Sequence, residues 1–395
     1  MPRVPIPPPP RYASIIVALI PVFPPLYFLA FYGLRFINHW NRSFITALAI
    51  FLGSQLIAAA LTPHPVASIG LALIRSMFII SLITTGAWFG DRKSLHPLLF
   101  GLVIVYVTAL VSSFLTYGPD VVNLRLKHPY YTEVSLGLSG TVGLFLLATW
   151  EQGPRWVRLS LGALAMVIIA LSGSRGALVA LLTGGLGGAL IGYRKLAPVF
   201  LSGLSLTALA AYFGQRSAAA HAIERLFSFS LTGRDRYWQD AWTTFIAHPW
   251  GGVGPYQLGP YLKSLYHGQC QFWPTLERWG LSCPEWLTPF SGAWIIAHNT
   301  LLHQLGEAGI LGTLGLLALL GIIAYAVWKT RDPLLTAIFL AFMVMGLVDV
   351  PIAVPSLHLA ELFWVSMGIA LAKAGFFEQG SVGPSPDDNS NDRTG

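Results

Sequence analysis

Long apolar runs alternate with short polar connections along most of the chain. A membrane-spanning helix needs roughly 20 consecutive apolar residues, and most of these runs approach that length. Few charged residues interrupt them, so they predict transmembrane α-helices rather than the elements of a soluble core. The eleven candidate spans are 12–34, 43–61, 68–90, 97–117, 132–150, 156–173, 176–192, 196–213, 299–328, 334–350 and 357–373.

The first run leaves the number of membrane crossings open. It contains Pro21, Pro24 and Pro25, which are poorly compatible with one continuous helix. A single kinked helix gives eleven spans and places the two chain ends on opposite sides. A short hairpin instead gives twelve crossings and places both ends on the same side.

Basic residues fall at alternate ends of the predicted spans, and the positive-inside rule assigns those ends to the cytoplasm. The clusters are Arg35 and Arg42, Arg92-Lys93, Arg155 and Arg158, Arg194-Lys195, Lys329 and Arg331, and Lys373. The outer face then carries segments 62–67, 118–131, 173–175, 214–297 and 350–356. We therefore expect residues 1–379 to form one polytopic membrane domain. The polar tail 380–395 should be a disordered cytoplasmic segment.

Composition supports a membrane protein and argues against a nucleic-acid-binding protein. The chain is 54% hydrophobic and only 10% charged, whereas soluble domains carry about a quarter charged residues. The net charge of +7 is spread over loop ends rather than clustered, which favours membrane orientation and anionic ligands. The two cysteines, Cys270 and Cys283, share one polar loop. They are a plausible disulfide if that loop is extracytoplasmic, and two unpaired thiols are the alternative.

The loop 214–297 is too long to be an idle connection. Segments 218–229 and 234–247 are predicted to be amphipathic helices, and the residues from His248 to Pro255 predict a tight turn. The rest of the loop is rich in Trp, Tyr and Pro, as expected of a lid at the lipid surface. The alternative is a small structural cap.

Two segments on the predicted outer face suggest an anion site. Segment 172–176 (Ser-Gly-Ser-Arg-Gly) is a minimal turn that places Arg175 at the start of a helix. A guanidinium at a helix N-terminus suits a phosphate, although a snorkelling Arg is an equal alternative. Arg234 and Arg236 begin the helix at 234–247, where the helix field disfavours cations, so they suggest a ligand or carboxylate partner such as Asp235.

His298 is the candidate for proton transfer. It precedes the apolar run 299–328, so we expect it on the first turn of a helix, where water meets the membrane. The positive field of a helix N-terminus disfavours imidazolium and leaves a neutral imidazole that can accept a proton. A solvated or capping His is the alternative. Glu307 lies roughly 13 Å deeper along the same helix and is expected to pair with a buried group such as Arg75 in a structural role.

Three segments resemble, in order, the motifs of the O-antigen ligase and polymerase superfamily. Segment 172–176 resembles its Ser-Arg turn. Its periplasmic-loop pattern is matched by Gly233, Arg234, Trp238, Ala241, Pro249 and Gly252-Val253-Gly254. Its His-Asn…Glu-x-Gly-x-x-Gly segment is matched by His298, Asn299, Leu302, Glu307, Gly309 and Gly312. The resemblance covers about residues 170–330.

This resemblance implies a multi-helix membrane glycosyltransferase of the GT-C type with no metal and no cofactor. The donor would be a glycan on undecaprenyl diphosphate, and the acceptor most often lipid A-core. Arg175 with Arg234 or Arg236 would bind the diphosphate, and His298 would be the general base. Asn299 and Glu307 are possible supporting residues. Arg125 and His128 are further candidates, because they lie where the family often has an Arg…Pro-Asn element; here Tyr130 follows the proline.

The resemblance does not separate three activities. The enzyme could ligate O-antigen to lipid A-core, polymerise the glycan on its carrier, or glycosylate a protein, because all three share the donor half of the site. A transporter is a rival of a different class. It would carry intramembrane charges without a constellation that joins His298 to the arginines.

Overall fold

The computed structural model describes residues 8–118, 124–192, 194–214, 233–263, 295–354 and 359–378. Within these ranges the chain is α-helical and contains no β-strand. The helices are α1 (Arg11–Leu19), α2 (Arg42–Ala60), α3 (Pro65–Phe89), α4 (Leu98–Tyr117), α5 (Glu133–Thr149), α6 (Arg155–Ser172), α7 (Arg175–Leu190), α8 (Ala197–Gly214), α9 (Arg234–Ala247), α10 (Thr300–Thr330), α11 (Pro333–Met345) and α12 (Ala360–Lys373).

The helices confirm the prediction of an all-α integral membrane protein. Each of the eleven predicted runs overlaps a helical segment of the described residues. Within the described residues, five segments are long and apolar enough to cross a membrane: α2, α3, Arg92–Tyr117, α6 and α10. Three shorter apolar helices, α5, α7 and α11, accompany them. Hydrophobic length alone therefore located these helices to within a few residues.

The first apolar run is broken at its prolines. Helix α1 ends at Leu19, and a 3₁₀ segment, Pro24–His39, follows it. Pro24 and Pro25 begin this segment because a proline at the start of a helix loses no hydrogen bond. The run is therefore not one continuous helix.

Glycines bring the central helices into backbone contact. A Cβ atom on Gly86 of α3 would lie 1.9 Å from the carbonyl oxygen of Val365 in α12. A Cβ atom on Gly184 of α7 would lie 2.6 Å from the carbonyl oxygen of Ala337 in α11. Small residues of this kind let membrane helices approach closely, because burying apolar surface gives little attraction between helices in lipid. The α7–α11 contact positions the candidate functional site described below, because α7 begins there and α11 ends there.

Helix α10 is broken at Gly309, where φ is 58° and ψ is −162°. The break frees backbone N–H groups, and the turn predicted at 248–255 accepts them. Ile310 N donates to Pro249 O over 2.8 Å, and Leu311 N donates to Trp250 O over 3.4 Å. In the other direction, Val253 N donates to Gly306 O over 2.9 Å. This turn is thereby attached to the membrane helix, and it fixes the end of α9.

Several predictions concern residues outside those that the structure describes. They are the helix at 218–229, residues 264–294 of the predicted lid, the Cys270–Cys283 disulfide and the tail 380–395.

Candidate functional site

The turn between α6 and α7 presents Arg175 at a helix N-terminus, as predicted. Gly173 closes α6 in the left-handed conformation, with φ 59°. Ser174 is the N-cap of α7, and its hydroxyl accepts a hydrogen bond from Ala177 N over 3.3 Å. Arg175 is then the first helical residue and is half-buried. Its guanidinium and the first-turn N–H groups of α7 form a local environment that favours an anion.

Three arginines from separate segments line one small pocket at this turn. Arg125 comes from the segment before α5, Arg175 from α7 and Arg234 from the first residue of α9. The side chain of Arg125 is held in place, since Nε donates to Ser172 O over 2.9 Å and Nη1 lies 3.7 Å from Glu133 Oε2. We call this the arginine pocket. Guanidinium groups bind phosphate oxygens in pairs, so the three arginines give this pocket the chemistry that suits a phosphate group.

Arg236 does not line the arginine pocket. It lies two residues after Arg234 on α9, on a different face of the helix, and it is exposed. Of the two arginines that the sequence left as alternatives, Arg234 is therefore the one beside Arg175.

A short turn after α11 joins the arginine pocket to the start of α10. Met345 and Val348 of this turn line the pocket. The turn is also bound to α10: Thr300 N donates to Gly346 O over 2.8 Å, and Asn299 Nδ2 donates to Leu347 O over 2.9 Å. The residues that begin α10 are therefore fixed beside the pocket.

His298 lies at this junction, one residue earlier than predicted. Asn299 is the N-cap of α10, with its side chain accepting from Leu302 N over 3.0 Å, so His298 precedes the helix instead of lying on its first turn. Its backbone is left-handed, with φ 50°, an uncommon conformation for a non-glycine residue. Strained backbone of this kind is often found at functional sites.

Asp349 is the partner of His298. Nδ1 of His298 lies 3.4 Å from Oδ1 of Asp349, whose side chain is 1% exposed. The same Oδ1 accepts a hydrogen bond from Val350 N over 2.9 Å, which fixes the carboxylate. With Nδ1 directed to the carboxylate, Nε2 is the ring nitrogen left for a substrate, and the side chain of His298 is 29% exposed.

Helix α9 connects His298 with the arginine pocket. The ring of Tyr237 lies 5.8 Å from the imidazole, and Trp238 Nε1 donates to the backbone oxygen of His298 over 3.2 Å. Arg234 is one turn earlier on the same helix, roughly 5–6 Å along its axis. His298 and the arginines thus belong to one site, which we call the arginine–histidine site. It lies at the ends of α7 and α10 opposite their basic ends at Arg194 and Lys329.

Glu307 forms the buried ion pair expected with Arg75. Its Oε2 accepts from Arg75 Nη1, and its Oε1 accepts from Tyr256 N over 2.7 Å. His303 Nε2 lies 3.4 Å from the same Oε1. Both carboxylate oxygens are engaged, and the bond to Tyr256 attaches the loop after α9 to α10. These contacts support the structural role expected of Glu307.

His128 is occupied by local backbone contacts. Its Nδ1 accepts hydrogen bonds from Tyr130 N and Tyr131 N, both over 3.1 Å. Burial lowers the pKa of His128 to about 4, so the ring is neutral at physiological pH. It does not line the arginine pocket, and its geometry fits a residue that shapes the turn before α5.

The sequence did not identify Asp349 as the partner of His298. In the sequence, Asp349 is simply a polar residue near the end of the apolar run 334–350. An unpaired carboxylate in a membrane helix is costly, so its position predicts that Asp349 has a partner but not which residue that is. His298 is 51 positions away along the chain, and only the packing of α10 against α11 brings the two residues together.

Comparison with known proteins connects this geometry to a family. The family model described as O-antigen ligase matches residues 160–317. The match includes Arg175, Arg234, His298 and Glu307, and it confirms the resemblance to the O-antigen ligase and polymerase superfamily. No curated protein matches the chain.

Proposed function

Because residues 160–317 match the O-antigen ligase family, we propose that this protein is a glycosyltransferase of the GT-C type. It transfers a glycan from a membrane-bound lipid diphosphate to an acceptor hydroxyl. The proposed donor is a glycan on undecaprenyl diphosphate, and the proposed acceptor is the lipid A-core of lipopolysaccharide. We further propose that the protein lies in the bacterial inner membrane, with the arginine–histidine site facing the periplasm.

One observation carries this proposal. Arg125, Arg175 and Arg234 line a single pocket whose wall, the turn 345–349, also carries the partner of His298. The site therefore combines a cationic pocket for a leaving diphosphate with a base for an incoming hydroxyl. That combination is what glycosyl transfer from a lipid diphosphate needs.

The leaving group explains the arginines. When the bond between the anomeric carbon and the diphosphate oxygen breaks, negative charge develops on that oxygen. Arg175 and Arg234, together with the first N–H groups of α7, are placed to stabilise this charge without reorganising. A reaction assisted in this way needs no metal ion or cofactor.

The nucleophile explains His298. The acceptor oxygen attacks the anomeric carbon from the side opposite the diphosphate, so the configuration at that carbon is inverted. The hydroxyl proton passes to Nε2 of His298, and the resulting imidazolium is stabilised by Asp349 at Nδ1. The glycan then leaves on the acceptor, and the lipid diphosphate remains with the arginines.

Two related activities use the same donor half. A polymerase would accept the end of a second lipid-linked glycan, and a protein ligase would accept a hydroxyl on a polypeptide. A transporter is less well supported, because transport requires no base next to the arginine pocket. Here Tyr237 and Trp238 contact His298, and both lie within about one turn of Arg234 on α9.

The test is in vitro transfer by the purified full chain with one undecaprenyl-diphosphate-linked glycan. Lipid A-core, an unstructured peptide and a second donor molecule are offered in turn. Product on lipid A-core, with the glycan in inverted configuration, is the expected result. Product only on the peptide or on the second donor selects one of the related activities. If the donor remains unconsumed in all three mixtures, the proposal is wrong.

A further inference from the structure

A cavity of about 680 Å³ lies at the opposite end of the helices from the arginine–histidine site. It is bounded by the start of α4 on one side and by the connection between α5 and α6 on the other. Its volume is within the range of small-molecule sites. None of the residues proposed to take part in glycosyl transfer lines it.

One part of the cavity wall is basic. Arg92 and Lys93 both line it, and Lys93 is exposed. Arg92 Nη1 lies 3.5 Å from Asp332 Oδ1, and the other oxygen of that carboxylate is 2.7 Å from Lys373 Nζ, so Asp332 is shared between two cations. Glu151 also lines the cavity, but its carboxylate lies 2.8 Å from Lys195 Nζ. The net local charge is therefore positive.

His96 adds a hydrogen-bonding group beside these cations. Its Nε2 atom is buried and has no hydrogen-bond partner among the described residues. A buried polar atom without a partner is costly, so a ligand oxygen beside it would be stabilising.

Another part of the wall is apolar and faces the bilayer. Val103 and Phe100 of α4 and Leu161 of α6 line the cavity. Phe100 is 64% exposed on the surface of a helix long and apolar enough to span the membrane. Trp150 also lines the cavity, and tryptophans are common at the level of lipid headgroups.

We propose that this cavity binds an anionic glycerophospholipid from the leaflet on that side. The lipid phosphate lies beside Arg92, Lys93 and His96, and one acyl chain follows Phe100, Val103 and Leu161. Basic pockets between membrane helices are a recognised mode of binding such headgroups. The proposal does not depend on the glycosyltransferase assignment, because neither site shares a residue with the other.

The test uses the purified full chain in detergent and native mass spectrometry. Phosphatidylglycerol and phosphatidylethanolamine with identical acyl chains are added in equal amounts. The wild type should retain phosphatidylglycerol preferentially. Lys93→Gln should lower the affinity for phosphatidylglycerol on the order of fivefold, as expected for one basic residue near a lipid phosphate. The affinity for phosphatidylethanolamine should fall less, because its ammonium group offsets the charge of its phosphate.

Two further variants make the result specific. Arg42→Gln removes a charge of the same sign from an exposed position at the start of α2 that does not line the cavity, so it should have no effect. Val103→Trp fills the apolar part and should reduce retention of both lipids. Equal losses in Lys93→Gln and Arg42→Gln would overturn the proposal. Displacement of the lipid by an equal concentration of glycerol 3-phosphate would overturn it as well, because the acyl chain would then contribute nothing.

Discussion

The imidazole of His298 and the carboxylate of Asp349 meet across the junction between α10 and α11, with Nδ1 and Oδ1 3.4 Å apart. The junction is held independently by Thr300, whose hydroxyl donates to Asp349 O over 3.0 Å. A carboxylate at Nδ1 fixes the ring orientation and leaves Nε2 to accept a proton. Asp349 therefore acts through His298, as a positioning residue.

Replacing Asp349 by Asn should lower kcat and leave donor binding intact. The amide oxygen can still accept from Val350 N, so the turn should be preserved, but the imidazolium loses its counter-charge. We expect kcat to fall by about 10²- to 10⁴-fold, the usual contribution of general acid–base catalysis. The donor Kd should change less than twofold. The measurements are steady-state transfer kinetics and equilibrium donor binding.

The exposed acid Asp91, at the other end of the helices, provides a control. Asp91→Asn should retain wild-type kcat. Asp349→Asn could instead lower the thermal midpoint and weaken donor binding by the same factor as kcat. That result would mean that Asp349 supports the fold rather than His298.

Replacing Arg175 by Ala should weaken binding of the lipid diphosphate. A hydrogen bond to a charged group contributes about 1.5–3 kcal/mol, which corresponds to roughly a 10- to 150-fold increase in Kd. Arg175→Lys should rescue poorly, because lysine lacks the planar fork that binds two phosphate oxygens at once. Titration with undecaprenyl diphosphate measures both variants.

Arg236→Ala is the matched control, since Arg236 is on the same helix as Arg234 but does not line the arginine pocket. Its effect on Kd should be much smaller than that of Arg175→Ala. Full affinity in Arg175→Lys would count against the diphosphate assignment.

Gly309 should be essential for stability and Gly321, in the same helix, should not. At Gly309 φ is 58° and ψ is −162°, a combination that only glycine adopts readily, at a cost of about 1–3 kcal/mol for other residues. A Cβ atom there would also lie 2.4 Å from the carbonyl carbon of Trp250. A Cβ atom on Gly321 would meet no atom within 4 Å.

Thermal unfolding in detergent compares the two substitutions. Gly309→Ala should lower the unfolding midpoint clearly, because the turn 248–255 has to move away from α10. Gly321→Ala should leave the midpoint unchanged or slightly raised, as alanine favours helix. Equal midpoints for the two variants would mean that the turn does not pack on the broken helix as described.

The membrane helices could be predicted from the sequence because each depends on a local property, the length of an apolar run. The break before Pro24 followed from the same local chemistry. The pairing of Arg75 with Glu307 was also foreseeable, since a lone charge in a membrane helix is costly.

The contacts within the site depend on non-local packing and were only partly predictable. Nothing near Asp349 in the sequence indicates that it faces His298. The choice between Arg234 and Arg236 depends on which face of α9 meets α7, and a two-residue separation leaves that face undetermined. His298 itself was misplaced by one residue because Asn299, a good N-cap, begins the helix after it.

The central claim is that His298 and the arginine pocket form one catalytic site with separate duties. The most direct measurement is donor binding and glycan transfer by His298→Ala under identical conditions. The account predicts a donor Kd close to that of the wild type and no detectable transfer. Transfer at the wild-type rate would contradict it, and so would a loss of donor binding as large as that in Arg175→Ala.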